Sequence, residues 1–382
     1  MAEALALVAP GTPLRDGLER VLLAKRGALI LVGDDAAVLS ICTGGFLLDA
    51  EFSPQRFSEL AKMDGAIILS AGARRIARAN VHLMPNPAIP TTETGTRHRT
   101  AERVARSIDV PVISVSAAMS IVTVYRRNDK HVLQPASRLL ERTSQALQTL
   151  QRFRSRFNVA VSALSALEVE DTVTVRDVVA VLQPAELVVR IAEDIDADLI
   201  ELGEDGRLLR LQLSELREGV EPVRRLVVRD YLRTPPIPGT DGDRAQPAPP
   251  SALGASGDGS RPAEGASRDR REVDRTLQTL GRLSTDELLD GRRVAAALGL
   301  PPDQLDPDAS LEPRGYRLLH RLPRFPDAIA ERIVEHFAGL QRIMRASVHD
   351  LEQVGGVGEA RARSVKEGLA RLAEASILDR YS

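Results

Sequence analysis

From Ala136 to Leu202 the chain contains no glycine, and this limits its possible folds more than any other feature. So long a stretch without the residue that turns most cheaply has to be taken up in helices. Apolar side chains recur at helical spacing through "SRLLERTSQALQTLQRF" and "VRDVVAVLQPAELVVRIAEDIDADLIEL". The segment therefore predicts amphipathic helices that pack as a bundle or against partner helices. Upstream the texture differs. The runs "ALILVG", "AVLSICTGG", "DGAIILS", "VPVISVS" and "SIVTVYR" read as short strands. Between them, "PLRDGLERVLLAKRG" and "SPQRFSELAKM" read as helices, the second with Ser53 as N-cap and Pro54 at the first helical position. This alternation predicts an α/β layered domain over residues 1–135. A helical region follows over 136–311. Within it Thr234–Arg270, rich in Pro, Gly, Ala and Ser, is predicted to be a disordered insertion, because it cannot bury enough apolar surface to offset its ordering entropy. Residues 312–382, opening with "EPRGYRLLHRLPRFP", predict a compact C-terminal domain.

The totals exclude several classes. The 382 residues are 43% hydrophobic, enough for two or three cored domains. With 51 basic against 53 acidic side chains, a uniformly basic nucleic-acid coat is excluded, although a local basic patch is not. The single cysteine, Cys42, leaves no internal disulfide or cysteine-rich zinc site and fits a reducing, cytoplasmic setting. The opening "MAEALALVAP" lacks the charged start of a secretory leader. No apolar run approaches about 18 residues, so no membrane helix is expected. Aromatic residues make up only 3% and Trp is absent, which argues against base stacking as the main mode of nucleic-acid recognition. Walker A, H-E-x-x-H, nucleophile-elbow and dinucleotide fingerprints are all missing.

Three stretches carry candidate chemistry. In "TTETGTRHRTAERV", Arg97, His98 and Arg99 crowd the expected start of a helix, where the macrodipole is already positive. Free N–H groups, these cations and the hydroxyls of Thr94, Thr96 and Thr100 suit a polyphosphate, with Gly95 permitting close approach. The competing reading is a solvated basic turn partly neutralised by Glu93 and Glu102. In "MDGAIILS", Asp64 stands at the mouth of an apolar strand, followed by the small Gly65 and Ala66. A carboxylate there can hold Mg2+ or Mn2+ or act on a hydroxyl, but Asp-Gly is also an ordinary turn. In "DLEQVGGVGEARARSVKEGL", Leu351, Val354, Val357, Ala362 and Val365 share a face, Gly356 and Gly358 frame a turn, and Arg361, Arg363 and Lys366 follow. That pattern suits a helix-hairpin-helix grip on DNA phosphates; a glycine turn between structural helices is the alternative. Arg314, Arg317, Arg321 and Arg324 either extend such a DNA surface or form a solvated face.

Taken in order, "DGAIIL", "ANVHLMPNPAIPTTETGTRHRTAERVA", "PRGYRLLHRLPRFP" and the glycine turn resemble the family of DNA integrity scanning proteins, bacterial diadenylate cyclases. The likeness extends over essentially the whole chain outside Thr234–Arg270. It implies condensation of two ATP into cyclic di-AMP with release of two pyrophosphates, at sites paired across subunits. It further implies an octamer with a helical spine, and C-terminal modules that bind branched DNA and thereby suppress the cyclase. Carried across by the resemblance, Asp64 would activate the 3′-hydroxyl and hold Mg2+ or Mn2+, and Gly65 would lie against the nucleotide. Leu83 would wall the adenine pocket, Thr96, Arg97, His98, Arg99 and Thr100 would bind the triphosphate end, and Ser116 would contact phosphate. The DNA contacts would come from Gly356, Gly358, Arg361, Arg363 and Lys366. A function of another class stays open: a non-catalytic DNA-binding scaffold whose first domain only binds nucleotide or cyclic di-AMP.

Overall fold

The structure, a computed structural model, describes residues 1–233, 261–323 and 325–380. The chain forms two compact units, one built from residues 1–148 with 193–215 and the other from the remaining described residues. The first unit carries helices α1 (Ala2–Leu7), α2 (Pro13–Leu23), α3 (Ala36–Ser40), α4 (Pro54–Leu60) and α5 (Thr96–Ser107). Its strands are β1 (Ala28–Val32), β2 (Cys42–Thr43), β3 (Phe46–Glu51), β4 (Ala66–Leu69), β5 (Arg75–Leu83), β6 (Val112–Ser116), β7 (Ile121–Arg126) and β8 (Asp129–Val132). They form one sheet in the order β2-β5-β4-β1-β6-β7-β8, with β3 also on β5. Only β1 and β4 pair in parallel; the other pairs are antiparallel.

Period-two alternation divides the central strands between two cores. Ile30, Val32, Ile67, Leu69, Ile113 and Val115 pack with Leu14, Leu18 and Phe57 of α2 and α4. Leu29, Leu31, Ile68, Val112 and Tyr125 pack with Ala101, Val104 and Ala105 of α5. Strands covered on both faces become continuous apolar runs, which is why β1, β4, β6 and β7 are visible in the sequence. The Ser53 cap forms as expected, its hydroxyl accepting the Arg56 N–H at 3.2 Å. The run read as the strand "AVLSICTGG" is different: Asp35 accepts the Val38 N–H at 2.9 Å and starts α3, leaving only Cys42–Thr43 extended. A side-chain cap outweighs apolar content here.

Two long helices follow, α6 (Ala136–Glu170) and α7 (Val175–Leu202), then α8 (Arg207–Arg217) and α9 (Val220–Tyr231). The next helix, α10, runs Arg261–Arg282, so the last ten residues of the Thr234–Arg270 stretch are helical and not part of a disordered insertion. Its register places Asp269 against Arg229 at 2.7 Å and Arg314 at 2.9 Å, which the proline-rich composition upstream masks. The part of that stretch at 234–260 lies outside the described residues. Beyond it come α11 (Thr285–Leu289), α12 (Gly291–Ala297), α13 (Tyr316–His320), α14 (Asp327–Phe337), α15 (Leu340–Arg345), α16 (Val348–Glu352) and α17 (Glu359–Arg380). The five residues expected to share an apolar face, Leu351 to Val365, are all buried. Among the described residues no helix is long and apolar enough to cross a membrane.

A buried polar node ties α6, α9 and α13 together within the second unit. Arg317, 2% exposed, pairs with Glu168, 0% exposed, and donates to Ser165 at 3.0 Å. The Tyr231 hydroxyl donates to the same carboxylate at 2.8 Å. Beside them the Asp230 carboxylate accepts the N–H groups of Gly315, Tyr316 and Arg317 at 2.7–2.8 Å. Burial, with the nearby Glu168 charge, pushes Asp230 up to about 7, against the pull of those donors. The basic cluster of the sequence divides: Arg317 is buried, Arg314 is half-buried and donates to the Leu232 carbonyl at 2.7 Å, and Arg321 is exposed and donates to Ser165 at 2.9 Å. Arg317 is thus neither part of a DNA surface nor of a solvated face, since an arginine on a short helix can equally face inward onto a carboxylate. Arg324 lies outside the described residues. Removing one partner of a buried pair leaves the other charge uncompensated, so Arg317→Met should cost about 3–5 kcal/mol. Chemical unfolding of the second unit would register this, and adding Glu168→Gln should restore much of the loss.

Candidate functional site

Register places most of the first unit's candidates along one edge of the sheet. Gly27 precedes β1, Asp64 and Gly65 precede the parallel β4, and Ser116 ends the antiparallel β6. Leu83 ends β5, whose Val81 pairs with Ala66. Helix α5 starts at this edge too, because Arg97 reaches Gly27 and Asp64.

The start of α5 is unusual. Its N-cap is Gly95, no side chain caps it, and no acidic residue lies in its first turn. The two carboxylates that could neutralise it are engaged elsewhere. Glu93 pairs with Lys130 at 2.5 Å and accepts the Tyr125 hydroxyl at 3.0 Å. Glu102 accepts the Thr92 N–H at 3.2 Å and the Thr91 hydroxyl, and pairs with Arg106 at 2.7 Å. The neutralisation that the solvated-turn reading invokes has no ion pair behind it: neither glutamate pairs with Arg97 or Arg99. Positive potential at a helix start with free N–H groups is a site for an anion.

Helical rotation separates the three basic residues. Arg97 lies over Gly27, where an added Cβ would stand 2.6 Å from the guanidinium. Its guanidinium is 3.5 Å from Asp64, whose side chain is fully exposed; solvent screens such a pair, so it yields easily. His98 turns inward, its Nδ1 2.9 Å from the Tyr125 hydroxyl, and burial lowers its pKa. Arg99 is exposed on the outer face, as is Thr96, and Thr100 is half-buried. Ser116 is half-buried and accepts the Met119 N–H at 3.4 Å. Leu83 is half-buried against the α5-side core and pairs with Cys42.

Gly65 has a structural reason to be glycine. A Cβ there would stand 2.3–2.4 Å from backbone atoms of Asn80, whose side chain accepts the Gly65 N–H at 3.2 Å. Asn80 sits at φ 54 in a bulge of β5. The sequence reading missed both Gly27 and Asn80: a lone glycine after a helix and a lone asparagine in a polar run carry no signal that pattern alone detects. A separate cleft of about 670 Å3 lies between the α1–α2 and α7–α8 turns, lined by Gly11, Glu204, Arg207 and Arg210 among others; it contains none of the candidate residues.

In the second unit, α16 and α17 are joined by a turn with Gly356 at φ 83, and a Cβ at Gly358 would meet open space. Arg361 is exposed and donates to the Gly356 carbonyl at 2.8 Å. Arg363 is exposed and pairs with Glu359. Lys366 is half-buried and donates to the Met344 carbonyl at 2.8 Å, bracing α17 against α15.

An α/β layer with an uncapped basic helix at one sheet edge, followed by long helices, is the build of a nucleotide-binding domain on a helical linker. Comparison with known proteins gives the same division. Residues 15–130 match the model of the DisA bacterial checkpoint controller nucleotide-binding region, and residues 133–243 that of its linker region. The DNA integrity scanning protein DisA of Streptomyces coelicolor is 50% identical over 100% of this chain and 94% of its own. That of Acidothermus cellulolyticus is 52% identical over 99% and 94%. The chain belongs to the DisA family. Among solved structures, DacA of Staphylococcus aureus is 22% identical over 31% of this chain and 83% of its own, with a TM-score of 0.26.

Overpacking against backbone costs about 1–3 kcal/mol, so Gly65→Ala should lower the thermal midpoint of the first unit. A calorimetric scan of the variant against the parent protein checks this.

Proposed function

We propose that the protein is a diadenylate cyclase that condenses two ATP into cyclic di-AMP with release of two pyrophosphates, and that its C-terminal helices grip DNA. One observation carries the first part: an uncapped helix start whose nearby glutamates are already bonded, with Arg97 laid over Gly27 beside a fully exposed Asp64. A triphosphate supplies the charge that this helix start lacks. Membership of the DisA family supports the nucleotide reading.

Among the described residues no group of three His, Cys, Asp or Glu side chains is placed to hold a metal unaided. A single exposed carboxylate suits Mg2+ or Mn2+ held jointly with nucleotide phosphates. An ion so bound would neutralise charge gathering on the leaving pyrophosphate. Asp64 orients the ribose 3′-hydroxyl and draws its proton. Arg97, together with the α5 amides and the hydroxyls of Thr96 and Thr100, holds the polyphosphate, and Ser116 steadies it from the end of β6. Arg99 meets the outer part of the triphosphate, and Leu83 borders the base. Transfer of this kind depends chiefly on positioning and charge neutralisation. Each hydroxyl attacks the α-phosphorus of a nucleotide held by a second copy, so two sites must face one another, as the proposed octamer would arrange them. Asp64→Asn should keep most ATP affinity and lower turnover at least about a hundredfold. Chromatography of cyclic di-AMP after incubation with ATP and either metal is the measurement. Absence of product from the parent protein with both metals would leave the scaffold reading.

The α16–α17 turn would act as the helix-hairpin-helix, with the amides near Gly356 and Gly358 and the side chains of Arg361, Arg363 and Lys366 toward DNA phosphates. Binding of branched DNA there would suppress the cyclase. An Arg361→Ala/Arg363→Ala double variant should bind a four-way junction more weakly, with the salt slope reduced by about two, and should retain cyclase activity. Unchanged affinity and slope in a salt titration would refute this assignment.

A further inference from the structure

Lys130, Glu93, Tyr125 and His98 form a hydrogen-bonded chain that ends beneath the first turn of α5. Burial acts to raise the Glu93 carboxyl, but hydrogen bonds from Lys130 and Tyr125 hold it below its ordinary value. It is therefore ionised and can only accept. The Tyr125 hydroxyl, 1% exposed as a residue, must then spend its proton on Glu93 at 3.0 Å. Its oxygen is left to accept from His98 at 2.9 Å, so the His98 Nδ1 carries hydrogen. The remaining nitrogen, Nε2, is the one that titrates. It is buried and without a partner among the described residues.

Two further buried hydroxyls lack partners there as well, Ser114 Oγ and Thr123 Oγ1. These residues pair in register and share strand parity with Val112 and Tyr125, which face α5. Thr123 also lies beside the Tyr125 phenol. An unpaired buried acceptor is costly, and His98 Nε2 persists as one at the residue next to Arg97, which the ATP reading places on the polyphosphate.

We propose that His98 takes up a proton when a nucleotide polyphosphate settles at the start of α5. Tyr125 and Glu93 act as positioning residues that keep the Nδ1 hydrogen in place. The inference rests on the ATP reading given above. In the free protein, burial disfavours the imidazolium, and Arg97 and Lys130 oppose it against the pull of Glu93. Glu102, one turn along the helix, is bonded to Thr91, Thr92 and Arg106. A polyanion reverses this balance. The proton comes from solvent onto Nε2, and the site gains a positive charge only when its ligand is present.

The sign follows from linkage. Free His98 titrates below its ordinary value and the bound form above that point. Between the two, affinity falls as pH rises; below the lower one, His98 is protonated in both states and affinity is flat. The test is calorimetric titration of the full chain with α,β-methylene-ATP, which cannot be cleaved at the reacting bond, in excess Mg2+ near neutral pH. Two buffers of different ionisation enthalpy separate proton uptake from binding heat. Uptake in the parent protein, lost in His98→Gln and reduced in Tyr125→Phe, is the expected result. Phe keeps the packing of the ring, and a thermal scan verifies the fold. Binding without uptake, or uptake undiminished in His98→Gln, overturns the inference and leaves the ATP reading standing. Failure of the analogue to bind at all overturns both.

Discussion

The two glutamates that flank the start of α5 are already spoken for, and the architecture of the first unit turns on that fact. Glu93 is bound by Lys130 and Tyr125, and Glu102 by Thr91, Thr92 and Arg106. Had either been available, Arg97 would be neutralised within the chain and the helix start would have little use for an anion. Instead the strongest local counter-charge is Asp64, fully exposed and 3.5 Å away, a contact too weak to compete with a polyphosphate. The same bonds that withdraw the glutamates also fasten the loop before α5, so the site is open electrostatically and held in place structurally.

Sheet topology converts that local charge pattern into a site. A single parallel pair, β1 with β4, brings Gly27 and Asp64 to a common edge, and the antiparallel return of β6 delivers Ser116 to it. The cost falls on β5, which accommodates the close approach at Gly65 through a bulge and a left-handed Asn80. Strain of this kind persists where the surroundings over-determine it. Here the Asn80 side chain holds the Gly65 N–H.

Much of this was legible in the sequence, for stated reasons. Strands β1, β4, β6 and β7 are buried on both faces and so read as apolar runs, and Ser53 announced α4 through its own hydroxyl. Strands β3 and β5 were not legible. Phe46, Leu47 and Leu48 are largely exposed, and β5 carries Arg75, Arg78, Asn80 and His82, so neither shows a clean period of two. Asp35 was passed over because apolar content drew attention away from a cap. The cluster Arg97-His98-Arg99 reads as a unit in sequence, but successive residues of a helix point 100° apart. In the folded chain His98 faces Tyr125 while Arg99 faces water. Arg317 of "PRGYRLLHRL" looks like part of a nucleic-acid surface until its buried partner Glu168 is seen.

The Asp230 cap has a consequence for how such chains are put together. One carboxylate belongs to α9, and the three amides it binds belong to residues 315–317. A recombination event or an engineered fusion that joins foreign sequence near residue 312 separates acceptor from donors, stranding a buried anion on one side and bare N–H groups on the other. The terminal helices are therefore not a cassette to be exchanged at that seam. Whatever replaced them would have to bring its own three donors to the same place.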